Sequence, residues 1–401
     1  MKLSKRVSSI QPSVTLEISA KAKALKSEGK DIVAFTAGEP DFNTPDYIIE
    51  EAKKALEDGK TKYTPTAGIP ELKKAIVKKF KEENGLDYKE SNIVVSSGAK
   101  SSLYHAFEAI LDEGDEVIIP APYWITYVEQ VCLAGGVCKI VETDEKSGYK
   151  LVSEQFENAI TPKTKCVLIN SPCNPTGVVY NKEELLEIAK IAEKHNLLII
   201  SDEVYEKLVF DGEEHVSIAA LTPYAKENTI VINGVSKTYA MTGWRIGYLA
   251  CDEKLAKAIA AMQGHTTSNA CSFAQYASAT AIAGGQDFIE NMVKEFDCRR
   301  KILHEGLCSI EGMKVVYPKG AFYIFADVSA FFGKSYNGRV IETSNTFAQL
   351  LLAEKHVAVV PGIAFEAEGF CRLSYACSME HCMEGLNRIE AFINELTDAP
   401  W

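Results

Sequence analysis

The 401-residue sequence contains no apolar run near the roughly 20 residues that a membrane helix needs. It has no Gly-x-Gly-x-x-Gly and no Walker-type glycine loop, which disfavours dinucleotide and nucleoside-triphosphate binding. Its 11 cysteines are odd in number and include no Cys-x-x-Cys pair, so they read as free, mostly buried thiols. The seven histidines are dispersed without ligand spacing, and no metal site is expected. Positive charge is in deficit, 43 Lys and Arg against 55 Asp and Glu, a net −12. That balance argues against nucleic acid or an anionic membrane as the main partner. The basic start Met1-Lys2-Leu3-Ser4-Lys5-Arg6 is followed by polar residues, not by a signal-peptide core, so a cytoplasmic location is expected. No repeat, low-complexity linker or coiled coil interrupts the chain.

What is present is an alternation of two periods. Apolar residues at three- and four-residue spacing predict helices over Tyr47–Leu56, Ile69–Glu83, Ala99–Leu111 and Lys182–His195. Between them lie near-continuous apolar runs: Ile93–Val95, Glu116–Ile119, Cys166–Ile169, Leu197–Ile200 and Ile230–Ile232. Runs of this kind suit strands buried on both faces, hence an α/β fold with a mostly parallel sheet covered by helices. Further helices are predicted at Glu253–Met262 and Gln286–Leu307. The C-terminal third mixes strands (Ala321–Phe325, Phe370–Tyr375) with helices (Ser344–Glu354, Glu380–Leu396), as in a separate, smaller α+β layer.

Polar residues gather at the ends of the apolar runs. Lys237 follows Ile230-Val231-Ile232-Asn233 at the bend Gly234-Val235-Ser236, with Arg245 eight residues on. It is either a solvated surface lysine or, at the carboxyl end of a buried strand, a desolvated nucleophile. Asp202 directly follows Leu197–Ser201, placed to N-cap a short helix that comes next or to hold a proton on a heteroaromatic ring nitrogen. Asn174, in Asn170-Ser171-Pro172-Cys173-Asn174-Pro175-Thr176-Gly177, sits in a stiff turn after a third run. Three strand ends carrying polar groups raise the functional reading of all three together. Ser96-Ser97-Gly98-Ala99-Lys100-Ser101 is a small-residue turn opening a helix, a natural phosphate cradle, and Lys100 opposes the helix dipole unless an anion lies nearby. Trp124, after Pro122-Tyr123, can stack on a planar ring or simply pack in the core. Cys173 reads as a small filler before a redox group.

Taken with further motifs, these residues resemble a class I aminotransferase of pyridoxal-phosphate (PLP) fold type I, in the bacterial aspartate aminotransferase subgroup. The matching pieces include Thr36-Ala37-Gly38-Glu39-Pro40-Asp41-Phe42, Lys62-Tyr63-Thr64-Pro65, Pro122-Tyr123-Trp124 and Asn170–Gly177. They continue through Ser201–Tyr205, Ser236–Gly247, Gly320–Tyr323 and Arg372–Ala376, in the family's order along nearly the whole chain.

The resemblance implies pyridoxal 5'-phosphate as cofactor, with Lys237 as the Schiff-base lysine and proton shuttle. It implies Asp202 on the ring nitrogen, Tyr205 and Asn174 on the ring oxygen, and Trp124 stacked on the ring. Gly98, Ala99, Lys100, Ser236 and Arg245 would hold the phosphate, joined by Tyr63 from the partner of a homodimer. Arg372 would grip the substrate α-carboxylate beside Gly38, and Lys100 would meet a distal carboxylate. The implied reaction is ping-pong transamination of aspartate with 2-oxoglutarate. Alternatives within the cofactor class are alanine or aromatic transamination, or C–S lysis. The implied domains are a large one over residues 43–290 and a small one from 1–42 and 291–401. Gly234 stands where some relatives carry serine. Gln11 stands before Pro12 where relatives that also accept prephenate carry lysine, so prephenate activity is not expected.

Overall fold

The computed structural model describes residues 3–4, 7–8, 10 and 14–398; Gln11 lies outside them. β1 (Val33–Ala34) pairs remotely. The next seven strands are β2 (Ile93–Ser96), β3 (Glu116–Ala121), β4 (Val137–Glu142), β5 (Thr164–Asn170), β6 (Leu198–Asp202), β7 (Thr229–Gly234) and β8 (Gly247–Ala250). They form one sheet in the order β2-β8-β7-β6-β5-β3-β4. All neighbours are parallel except β8, which runs antiparallel to both β2 and β7. The central strands are buried almost throughout, because helices cover both faces.

This is the α/β architecture expected from the apolar runs, with the sheet of seven. Two strands escape the sequence pattern for different reasons. β4 is the edge strand, and its exposure alternates along Val137–Glu142, so it shows no continuous apolar run. β8 is short and begins at a glycine. The helix Ser272–Ala283 is also unanticipated, since its small residues blur the period; it packs against the helices Asp46–Glu57 and Pro70–Asn84.

A second, antiparallel sheet follows in the C-terminal third. Its strands β9 (Lys314–Val316), β10 (Tyr323–Asp327), β14 (Val360–Pro361) and β15 (Phe370–Ser374) run in the order β14-β15-β10-β9. β1 pairs parallel with β13 (Val357–Ala358), which fastens the N-terminal segment to this layer. A small sheet of β11 (Lys334–Tyr336), β12 (Arg339–Val340) and β16 (Thr397–Asp398) completes it. The helix Asp287–Ser309 lies along the layer and buries Phe296 against Phe42, Phe322 and Tyr375. Among the described residues no helix is long and apolar enough to cross a membrane.

The register of the parallel strands decides where function can sit. Asn170 of β5 pairs with Asp202 of β6, and Asp202 pairs with Ile232 of β7. Three adjacent strands therefore finish together at one edge. β8 returns beside that edge and crosses the loop Gly98–Ala99 at close range. A Cβ on Gly247 would stand 2.1 Å from the Ala99 amide nitrogen and 2.4 Å from the Gly98 carbonyl carbon. Gly247→Ala is therefore expected to push this backbone apart and cost about 2–3 kcal/mol. Urea unfolding checks it; an unchanged midpoint would contradict the close approach.

Candidate active site at the strand ends

A cavity of about 800 Å³ opens over the carboxyl ends of β5, β6 and β7. Lys237 projects into it from the turn after β7. Asp202 ends β6, and Asn174 stands on the turn after β5. Trp124, Tyr205, Ser236, Arg245, Ala99 and Lys100 line the same space, as do Gly38 and Arg372 from the other layer. The residues singled out at separate strand ends thus meet in one place. Gly98 lies beneath Arg245, where an added Cβ would touch the guanidinium at 2.2 Å. Tyr63 is not brought in; it stands 92% exposed on the surface.

Asp202 is 2% exposed. Its Oδ2 accepts from the Tyr127 hydroxyl at 2.7 Å and its Oδ1 from the Val204 amide at 3.3 Å. Burial pushes the carboxyl up to about 6, against the pull of the Tyr127 and Val204 donors. No helix directly follows Asp202, only turns over residues 204–207, so its side chain caps no helix; the Val204 contact closes that turn while the residue lines the cavity. Tyr127 was not evident from sequence. The sequence holds no local signal for it, because the group it bonds lies 75 positions away.

Burial brings the Lys237 ammonium down to about 8; Glu39 opposes the shift, while Arg372 and Arg245 add to it. Its Nζ donates to the Gly38 carbonyl. Glu39, another residue without an assigned role, accepts from Thr242 Oγ1 at 2.6 Å. The N-terminal segment therefore touches both the lysine and the loop that follows it.

Arg372 is a buried cation with no carboxylate partner among the described residues. Nη1 donates to Asn174 Oδ1 at 2.9 Å and Nη2 to the Thr36 carbonyl at 3.3 Å, while Nε has no partner. Its guanidinium lies 4.4 Å from the centre of the Tyr323 ring, and Tyr323 shares a 2.8 Å hydroxyl contact with Tyr205. A desolvated arginine left with only neutral partners suits an anionic ligand.

The other end of the cavity is also arranged for an anion. The helix Ala99–Ile110 has no side-chain cap, so its leading amides are free for a ligand, with Ser236 and Arg245 beside them. Lys100 lies 4.8 Å over the Trp124 ring, and burial lowers its affinity for a proton, as does Arg245. The donor set therefore fits a flat, phosphorylated, cationic ring: amides and Arg245 for a phosphate, Asp202 for a ring N–H, Trp124 for a face and Lys237 for a carbonyl carbon.

Fold and cavity together define a protein of the α/β class with a cavity suited to anionic ligands at its strand ends. The family model for aminotransferase class I and II matches residues 30–389, and the chain belongs to that family. It is 50% identical over 391 residues to an aspartate aminotransferase of Bacillus sp. (strain YM-2), spanning 98% of this chain and 99% of that protein. It is 48% identical over 396 residues to a probable aspartate/prephenate aminotransferase of Aquifex aeolicus, spanning 98% and 99%. The crystal structure of the aspartate aminotransferase from Rhizobium meliloti superposes with a TM-score of 0.96 at 43% identity, covering 99% of this chain and 100% of that one. The chain is accordingly an enzyme of amino-group transfer.

The lowered Lys237 has a direct consequence in the cofactor-free protein. The neutral amine is the nucleophile, and its fraction grows as pH rises through about 8 instead of 10.5. Reductive alkylation with a small aldehyde should therefore modify Lys237 with a midpoint near pH 8, ahead of the surface lysines. Peptide mass mapping across pH reads this; a Lys237 midpoint near 10 would show that the site does not desolvate it.

Proposed function

We propose that this enzyme transfers the amino group of aspartate to 2-oxoglutarate, giving oxaloacetate and glutamate in two half-reactions, with pyridoxal 5'-phosphate joined to Lys237. The observation that carries the reading is the convergence of Lys237, Asp202 and the uncompensated Arg372 on one cavity. When bound, the cofactor supplies an electron sink for the bonds at the substrate Cα.

The chain's own residues do the rest. Asp202 holds a proton on the ring nitrogen and so keeps the ring electron-poor. Tyr205 Oη and the Asn174 amide donate to the ring oxygen, and Trp124 covers one face. The amides of Ala99 and Lys100, with Gly98 permitting the turn, bind the phosphate together with Ser236 and Arg245. Tyr63 of the partner subunit completes that set in a homodimer, which accounts for an aromatic side chain left 92% exposed. Arg372 grips the α-carboxylate with Gly38 close by. That grip would orient the substrate so that its Cα–H bond, not the bond to its carboxylate, is the one the electron sink weakens. Lys237 Nζ would accept the substrate Cα proton and return it later in the reaction, a role for which its neutral amine form is suited.

Lys100 meets the distal carboxylate of the four- or five-carbon substrate, for which its desolvated ammonium is prepared. The division into a large domain (43–290) and a small one (1–42 and 291–401) belongs to the same reading, with closure bringing Gly38 and Arg372 over the substrate. A cytoplasmic location belongs to the same reading.

The purified protein should absorb in the near-ultraviolet to visible region and lose that band when aspartate is added. A colourless protein that takes up no cofactor would sink the reading. Lys237→Ala should still bind cofactor but fail to turn over. A panel of amino donors with 2-oxoglutarate should rank aspartate above alanine and tyrosine. Lys100→Ser should raise KM for aspartate by about 10- to 100-fold, the value of one charge-assisted contact, and leave alanine little changed. Equal losses for both donors would remove Lys100 from substrate selection.

A further inference from the structure

The turn that carries Asp202 and Tyr205 also carries two carboxylates that do not line the cavity, Glu203 and Glu206, which are 1% and 5% exposed. Glu203 Oε1 accepts from Ser201 Oγ at 2.8 Å and from Ser217 Oγ at 2.7 Å, and Oε2 lies 3.1 Å from His215 Nε2. Glu206 is paired with the buried ammonium of Lys79 and accepts from Asn84 Nδ2 at 3.1 Å. Ligand atoms of Glu203, Glu206 and His215 lie within 4.8 Å of one another. They do not form a metal site, because Lys79 already supplies the cation and the serine hydroxyls occupy Glu203 Oε1. Tyr88 and Tyr248 face Glu203 from neighbouring elements, and Tyr239 and Tyr248 face Glu206.

Burying such a network is a poor way to gain stability, since apolar side chains of similar volume do as well or better. Its position offers another use. Glu203 is the residue next to Asp202, and its amide donates to the Ile232 carbonyl at 2.9 Å, tying the turn to β7. The two side chains leave the strand end in opposite senses: Asp202 toward the cavity, Glu203 into the serine and histidine nest. The negative charge of Glu203 adds to the proton affinity of Asp202.

We propose that Glu203, held by His215, Ser201 and Ser217, is a positioning residue that fixes Asp202 and places negative potential behind it, toward the cofactor's ring nitrogen. This rests on the cofactor reading above and extends it to a residue that touches neither cofactor nor substrate.

The test is a pH titration of the holoenzyme's near-visible absorbance. Glu203→Gln keeps the shape and removes the charge. Protonated forms beside it become less favourable, so the midpoint should fall, on the order of one pH unit. Ser217→Ala keeps the charge and removes one clamp; it should lower Tm and leave the midpoint in place. Should Glu203→Gln not fold, Glu203→Met, apolar and of similar length, removes the same charge and should lower the midpoint likewise. An unmoved midpoint in Glu203→Gln, or in Glu203→Met when it stands in, overturns the proposal. So do equal shifts in Glu203→Gln and Ser217→Ala, which mark a merely structural network. A coloured wild type with an unmoved variant removes this inference alone; a colourless wild type removes the cofactor reading and this inference with it.

Discussion

Desolvation of three ionisable groups in one cavity governs this structure. Burial drives the Lys237 ammonium down and the Asp202 carboxyl up, and it lowers the proton affinity of Arg372 as well. Among the described residues none of the three has an ion-pair partner in contact: Lys237 donates to a carbonyl, Asp202 accepts from a phenol and an amide, and Arg372 has an amide oxygen and a carbonyl. Such groups suit ligands of complementary character, an anion for the arginine and a hydrogen-bond donor for the aspartate. The same water exclusion that makes these groups costly makes them effective once a ligand is in place.

Holding such groups apart requires stiff surroundings, and the two layers supply them in different ways. The parallel sheet sets the spacing of Asn170, Asp202 and the β7 turn through its register, with buried β-branched side chains on both faces. The antiparallel layer holds Arg372 on β15 opposite Phe325 of β10, with Tyr323 stacked against the guanidinium. The N-terminal segment joins them. Ser374 donates to the Phe35 carbonyl, Thr242 donates to Glu39, and Arg299 pairs with Asp41 at 2.8 Å. Gly38 and Glu39 therefore stand between the two layers, in contact with Lys237 and Thr242.

Much of this was legible along the chain, and the parts that were not share a cause. Continuous runs such as Ile230–Ile232 report burial on both faces, so the central strands and the polar residues ending them could be read directly. The edge strand Val137–Glu142 has one face in water and lost that signal. Tyr127, Tyr323 and Glu39 carry no local mark of their roles, because each acts on a group 75 or more positions away: Tyr127 on Asp202, Tyr323 on Tyr205 and Glu39 on Thr242. Glu203 reads locally as one more acidic residue in Ser201-Asp202-Glu203-Val204-Tyr205; only the arrival of His215 and Ser217 makes it a buried carboxylate.

The amino-acid sequence by itself determined the α/β alternation, the chemistry available at each strand end and the family to which the chain belongs, because hydrophobic period and residue type are local properties. The tertiary structure decided which of those residues share a cavity, which charges lose their water and which are compensated. Arg372 lies in a strand 135 residues beyond Lys237, and no local pattern states that the two face the same space. Desolvation depends on everything packed around a group, and that surrounding exists only once the distant segments have come together.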